Sequence, residues 1–571
     1  MLPGFRPAPL LFVSLMLVLC APVYAQQDGL LQLNDPIHTF LLRQQALGRL
    51  QDAHLSHQPL SAYEARRYLD TLATTAERLS PLDRALLDRY RGETPAPGAD
   101  GLHRRFGLLY ENGQDLYAVE GPDFALQVNP LLYLSAGPSQ QSKRPERPER
   151  TTAWQTTFGV RASGHIGPHV FFETRLEENH RAEPSLARSQ AIQRLPSLKS
   201  KGDIDTLADI TLNYFRATGL VGMKTSHFEI RVGRDHNRWG PGRNSLILSN
   251  YAPTYDQLQL RTTFWRLQYT NLFTVLSDRL TGREGDPEAE FPAKYGSFHR
   301  LALNLPGRIQ AGVFEAVIFS PSTFKNTGSY LGFFNPLIFY RAVDWDLGSP
   351  GNMVLGFDAA WQPLTGLNVY AELMLDEYDA SNLFSNPDYW KNTYGLLMGL
   401  YLADAGLKNL DLRVEYSRVR PYTYSNRSTT LSYLHYRGVL GHPAGPNTED
   451  IAVSAAYRLS PQFLLAFDAA LTHRGRNTDA RNFGADPARP YDEDRLDEDG
   501  EPLIDGVTLL QGVRQTALFF EGRAGYEFLP GFYLEAALRT ASLDDTETGL
   551  DRYVTPFLLL RWGLPFQSLR Y

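Results

Sequence analysis

From about Phe106 to the C-terminus, apolar and polar residues alternate with a period of two, the signature of strands rather than helices. Leu410, Leu412, Val414 and Tyr416 form one face of such a run, and Asp411, Arg413, Glu415 and Ser417 form the other. The same division separates Val170, Phe172, Thr174 and Leu176 from Phe171, Glu173, Arg175 and Glu177. It recurs with Val369, Ala371, Leu373 and Leu375 against Asn368, Tyr370, Glu372 and Asp376, and with Phe532, Leu534, Ala536 and Leu538 against Tyr533, Glu535 and Arg539.

A soluble two-layered sandwich would alternate as well. Three features favour a transmembrane barrel. The polar face carries both signs of charge, as a watery lumen requires. Connections alternate between short turns (Gly164 to Pro168, Pro363 to Gly366, Leu529 to Gly531) and long polar loops (Glu178 to Asp209, Asp278 to Ser297, His473 to Gln511). The chain ends on an aromatic, Tyr571, after a strand-like run from Thr555 to Phe566. A sheet in lipid must close, because an open edge leaves backbone groups unpaired. Roughly 460 residues of this pattern accommodate about 16–18 strands of about 10 residues each. Aromatics at 12%, with 30 Tyr, 31 Phe and 46 Gly, suit such a wall. A net charge of -7 makes a nucleic-acid role unlikely.

The N-terminus reads differently. Arg6, the apolar run Leu10 to Leu19 and Val23-Tyr24-Ala25 read as a signal peptide cut after Ala25. Cys20, the only cysteine, would be the acylated residue of a lipoprotein, but that reading wants a small residue where bulky Leu19 stands. Residues 26–95 read as a periplasmic helical region. Asp35-Pro36 starts a first helix, Ser61 to Glu64 is a capping box, and Ser80-Pro81 starts a third. Residues 96–105 read as a linker and 106–571 as the barrel. The fold expected is therefore mainly β, a closed antiparallel barrel with a small N-terminal α-helical bundle.

One stretch stands out chemically. Gly233 to Asn250 places Arg234, His236, Arg238, Trp239, Arg243, Asn244 and Asn250 around a Trp-Gly-Pro-Gly turn, between one strand ending near Gly233 and a second expected from Ser245 to Ser249. Planar multi-donor groups beside an aromatic face suit a sugar. A kinked strand pair whose arginines meet lumenal carboxylates accounts for the same residues. Arg418 to Asn447 carries Arg420, Tyr422, Tyr424, His435, Tyr436 and His442. It could form a second wall of a glycan site or an interfacial aromatic belt.

The Arg, Trp-Gly-Pro-Gly and Ser-Leu-Ile-Leu-Ser-Asn string resembles the signature of the capsule assembly Wzi family. So do Pro59 to Ser61 with Tyr68-Leu69, Asn335-Pro336 with Phe339 to Arg341, and Glu415 to Asn447. The resemblance spans nearly the whole mature chain. It implies an outer-membrane barrel with a periplasmic helical bundle that holds or organises capsular or related surface polysaccharide. Where better-known members carry a second Trp beside the turn, this chain has Arg238, and a frequent Asn-Asn pair is here Asn250-Tyr251.

No cofactor or metal is expected: the histidines lack ligand spacing. The acidic run from Asp492 to Glu501 fits a solvated loop, since a helix-loop-helix calcium pattern would put Arg495 at its first ligand position. Partners expected are the polysaccharide, outer-membrane lipid and the barrel assembly machinery, through the strand ending at Tyr571. The reading is non-enzymatic. A porin-like channel is the alternative. An outer-membrane lipase, using Ser249 and His236, is a second alternative for which no third member is evident.

Overall fold

The computed structural model describes residues 29–33, 35–93, 98–143, 149–184, 186, 211–278, 292–324, 328–336, 339–348, 350–377, 382–497 and 499–568. The leader with Cys20, the core of the 178–209 loop and Tyr571 lie outside them.

Eighteen antiparallel strands close into one barrel. The first, Phe124–Lys143, pairs with the last, Gly549–Trp562, in a register that sets Leu134 against Leu560. Alternation decides which side each residue faces. Phe158, Leu176, Val221 and Leu558 project outward and are exposed on the isolated chain. Phe264, Trp265, Trp361 and Phe528 are exposed near the short turns, where an aromatic girdle meets the membrane interface. The opposite parity sends charge inward, where it is neutralised across strands. Arg300 bonds both oxygens of Asp358 at 2.7 and 2.9 Å, Arg539 donates to Glu521 at 2.6 Å, and Arg561 donates to Glu535 at 2.9 Å.

Helices α1 (Pro36–Ala46), α2 (Ala62–Ala73) and α3 (Pro81–Tyr90) form the head. Asp35, Ser61 and Ser80 cap them as their sequences require, and Glu64 completes the box on α2. Phe40, Leu41, Tyr68, Leu69, Leu72, Leu86 and Leu87 pack between them. The head closes the short-turn end of the barrel through polar contacts. Arg261 meets Glu64 at 2.7 Å, Lys224 Nζ donates to Ser61 at 2.8 Å, and Asn304 donates to the Asp52 carbonyl at 2.9 Å. Arg43 joins Asp83 in the head to Asp404 and Asp411 at the wall.

The lumen is filled from the other side as well. Residues 236–254 leave the strand Phe228–Asp235 and enter the barrel, and residues 420–447 fold over them. Trp239 pairs with His57 and Arg238 with Gln58, so loop and head meet in a two-residue ladder. Leu246, Ile247, Leu248, Tyr424, Tyr433, Leu434 and Leu440 then build an apolar core inside the barrel against Leu272, Phe298, Phe314 and Leu397 of the wall.

Four expectations are corrected. Ser245–Ser249 is an irregular run with one bridge, from Trp239 to Leu248, because its amides go to Glu372, to the Ser245 hydroxyl and to the Leu440 carbonyl instead of along a neighbouring strand. Within the stretch read as a linker, Ala99–Phe106 forms a fourth helix, since Ala99 to Phe106 contains no proline. The wall begins at Phe124, not Phe106, and the short strand Tyr117–Glu120 lies against its first strand. The final strand stops at Trp562. Gly563 then turns the chain inward, where Leu564 is buried and Phe566 stacks on Arg523.

Removing Arg43 takes the shared cation from three carboxylates, one of them buried Asp83, and leaves Asp83 with Arg49, Asp411 with the Tyr401 hydroxyl and Asp404 with the Asn409 amide. Arg43→Ala should cost about 3 kcal/mol. It should loosen the head while the barrel persists: limited proteolysis within residues 29–93 rises, and the heat-modifiable gel mobility of the barrel is unchanged.

Candidate functional site

The Trp-Gly-Pro-Gly turn is held by its backbone. Glu372 accepts from the Leu246 amide at 2.9 Å and from Ser245 Oγ at 3.2 Å. Glu415 accepts from the Arg243 amide at 2.5 Å and from the Tyr370 hydroxyl at 2.7 Å. Wall carboxylates thus satisfy buried loop amides that have no strand partner. Gly240 lies at φ +113°, and a side chain there would collide with Glu372, so only glycine fits. Arg238 closes the loop by donating to the Arg243 carbonyl at 2.8 Å. Its burial, with Arg413 nearby, lowers its guanidinium to about 10. Trp239 is wholly buried, edge-on to Phe298 at 6.4 Å.

The residues singled out in sequence separate into distinct places. Arg243 and Asn244 lie together in the lumen, and the Arg243 guanidinium pairs with Asp468 of the wall while remaining about 38% exposed. Arg234 points outward at the long-loop rim and pairs with Asp256, donating to Oδ1 at 2.8 Å. Tyr436 is half-buried beside His435, with ring centres 4.6 Å apart, and Asn250 is exposed.

Arg420, Tyr422 and Asn447 do something else. Arg420 donates to the Val507 carbonyl at 2.9 Å and Tyr422 to the Asn482 carbonyl at 2.7 Å. Asn447 donates to the carbonyls of Gly475 and Gln511 at 2.9 and 2.8 Å and accepts from the Leu510 amide at 2.7 Å. All three are buried and hold the 477–512 loop down. Tyr424 donates to the Leu246 carbonyl and accepts from the His442 amide, each at 3.0 Å, tying the two lumenal loops together. Ser249 gives its hydroxyl to the Gly441 carbonyl at 2.6 Å inside the lumen, and Gly441 makes no acid–base set with it. Sequence reading missed Asp468 as the partner of Arg243; its inward parity on Phe463–Arg476 was the available signal. Among the described residues no cluster of His, Cys, Asp and Glu could hold a metal ion.

A closed eighteen-stranded barrel with an apolar outer belt and its own chain packed into the lumen has the architecture of an outer-membrane barrel. Residues 151–497 match the family model of the capsule assembly protein Wzi, more than half of the 571-residue chain. The chain belongs to the Wzi capsule assembly family. The solved structure of Wzi from Escherichia coli, described as an outer-membrane protein involved in group 1 capsule assembly and a carbohydrate-binding β-barrel, is similar over 95% of this chain and 100% of its own. The TM-score is 0.52 and the identity 14%, a likeness of fold. OccK5 of Pseudomonas aeruginosa covers 77% of this chain and 98% of its own at TM-score 0.40 and 11% identity. A BenF-like porin of Pseudomonas fluorescens Pf-5 covers 77% and 99% at TM-score 0.42 and 11%. No curated protein matches the chain in sequence.

Burial holds His236 and His435 down to about 3. His435 accepts from the Ser277 amide at Nδ1 (3.0 Å) and faces the Thr254 carbonyl at Nε2 (3.2 Å), the pattern of a neutral ring. An unfolded histidine titrates near ~6.5, so below that pH the unfolded chain binds protons that the folded plug refuses. Stability is full above about pH 6.5 and declines as pH falls toward 3, by up to about 1.4 kcal/mol per pH unit for each ring. Denaturant midpoints measured from about pH 7.5 down to about pH 4.5 should fall accordingly, and His435→Gln should flatten the slope.

Proposed function

We propose that this protein is a lectin-like binder that captures and organises capsular or related surface polysaccharide at the cell surface. The observation that carries the reading is the chain packed into the lumen: the head and the 236–254 loop meet in a hydrogen-bonded ladder, and an apolar core surrounds the junction. Such an interior suits a fixed scaffold better than a porin-like solute path. Family membership and the carbohydrate binding described for the Escherichia coli relative point the same way.

In this reading, the groups left with exposed surface do the binding. Arg243 and Asn244 offer donors to hydroxyls and uronate carboxylates, while Asn250, Tyr436 and rim Arg234 extend the contact toward the long loops. Arg238, Trp239, Arg420, Tyr422, Tyr424, His435, His442 and Asn447 act behind them as support, because each is buried. The helical head faces the periplasm, the signal peptide is cut after Ala25, lipid covers the outer wall, and the assembly machinery engages the strand Gly549–Trp562 near the end at Tyr571.

The test is cell-surface retention of polysaccharide in a deletion strain carrying variants. Arg243→Ala should lower retained glycan several-fold with normal amounts of folded barrel, and Arg243→Lys should restore part of it. Full retention by a folded Arg243→Ala protein would remove Arg243 from the site. Trp239→Ala empties a buried indole pocket and should instead cost about 3–5 kcal/mol of stability, read as a smaller folded fraction. Planar-bilayer recording should find no steady current from the wild-type protein; sustained conductance would favour the porin reading.

A further inference from the structure

The outer wall carries one group of polar residues on the wrong side. On the neighbouring strands Leu267–Ser277, Ala293–Leu305 and Ile309–Phe319, the residues Leu272, Phe298 and Ala316 belong to the lumenal core. Their sequence neighbours Asn271, His299 and Glu315 therefore face out, toward lipid. They stand side by side in register, Asn271 opposite His299 and His299 opposite Glu315. Ser297 lies two positions before His299 and so shares its face.

A charged and hydrogen-bonding row cannot sit bare in hydrocarbon, and it does not. The described residues of the following connection, 320–324, 328–336, 339–348 and 350–351, lie over it, with a 3₁₀ turn (Ser329–Phe334) and a short helix (Arg341–Asp346). Phe333 and Tyr340 pack on Val317 and Phe319, while Leu331 and Phe339 present an exposed apolar outer surface. Under this flap Ser297, His299, Asn271 and Glu315 are all buried. Glu315 accepts from the amides of Phe339 and Tyr340, both at 2.6 Å, which pins the flap. The Tyr340 hydroxyl lies 2.7 Å from His299 Nε2 and donates to the Asn335 carbonyl. The Ser297 hydroxyl, on the same face, is buried without a hydrogen-bond partner. Asn271 Oδ1, directly across from His299, is buried without a hydrogen-bond partner.

We propose that this row is a latent acyl-ester hydrolase site facing the bilayer, with Ser297 as nucleophile, His299 as general base and Asn271 orienting the imidazole, closed at rest by Tyr340. The chemistry needs no further group. Once the flap lifts, Ser297 Oγ attacks the carbonyl carbon of a lipid acyl ester and its proton passes to His299. The tetrahedral oxyanion collapses, the ester C–O bond breaks, and the lipid alcohol leaves with the proton from His299. Water, deprotonated by the same imidazole, then attacks the acyl-serine, releasing the fatty acid and restoring Ser297. The substrate class follows from position: an apolar acyl chain is what lies against this face. The inference is independent of glycan binding at the mouth.

The competing account is that the row only anchors the flap, and the experiment separates the two. Fatty-acid release is measured with the purified full chain in mixed micelles of phospholipid and detergent, for wild type, Tyr340→Phe, Ser297→Ala and His299→Gln, each checked for heat-modifiable mobility. In parallel, wild-type protein in native membrane fragments is treated with a fluorophosphonate probe, and the labelled residue is mapped by mass spectrometry. Expected are wild-type release at least about tenfold above Ser297→Ala and His299→Gln, faster release by Tyr340→Phe, and label on Ser297. If neither wild type nor Tyr340→Phe exceeds Ser297→Ala, or if Ser297 stays unlabelled, the row is an anchor and the proposal is overturned.

Discussion

A strand with hydrocarbon on one side must send its charge to the other, and most of this molecule follows from that requirement. Closing eighteen strands leaves an interior ring of Arg, Asp and Glu, many of them buried. Part of that charge is neutralised across strands, as between Arg300 and Asp358 or Arg561 and Glu535. The remainder is neutralised by chain drawn into the lumen. Glu372 and Glu415 each take loop amides, and Glu64 of the head meets Arg261 of the wall. The plug is therefore a condition of the barrel's interior charge as much as an addition to it, since a buried carboxylate without a donor is costly.

This mutual dependence explains how much could be read from sequence. Alternation is a local property, so Leu410 to Ser417 declares both its strand and its faces. The helix caps at Asp35, Ser61 and Ser80 are equally local and were legible. What alternation cannot carry is the path of a connection. Ser245 to Ser249 has strand-like composition, yet the Leu246 amide goes to Glu372 and the Ser249 amide to the Leu440 carbonyl, each more than a hundred residues away. The inward turn after Trp562 likewise depends on Arg523 and Gln155, which no reading of the last residues includes.

The candidate site divides along the same line. Arg, Trp, Asn and Tyr around a glycine-rich turn suit a sugar, and they suit a buried loop equally well, because the same donors serve either partner. Three-dimensional placement separates the uses. Arg243 keeps exposed surface beside Asp468, whereas Asn447 spends both ends of its amide on carbonyls and an amide of neighbouring loops. A positive φ of 56° at Asn447 adds the local reason for its type, since asparagine tolerates that backbone better than most residues.

The outer wall shows what the alternation rule discloses when it breaks. On Ala293–Leu305 the lipid-facing parity reads Tyr295, Ser297, His299, Leu301 and Leu303, with polar residues at two successive outward positions. The adjacent strands supply Asn271 and Glu315 at the matching level. One such residue on an outward face could be absorbed by local adjustment, but four grouped on one face across three strands require a cover, and the described residues between 320 and 351 supply it. A cover pinned through Glu315 and stoppered by Tyr340 follows the polar row closely. Apolar residues at these positions would have needed no such flap, so the row and its cover are best understood as one unit, built because those side chains stand there.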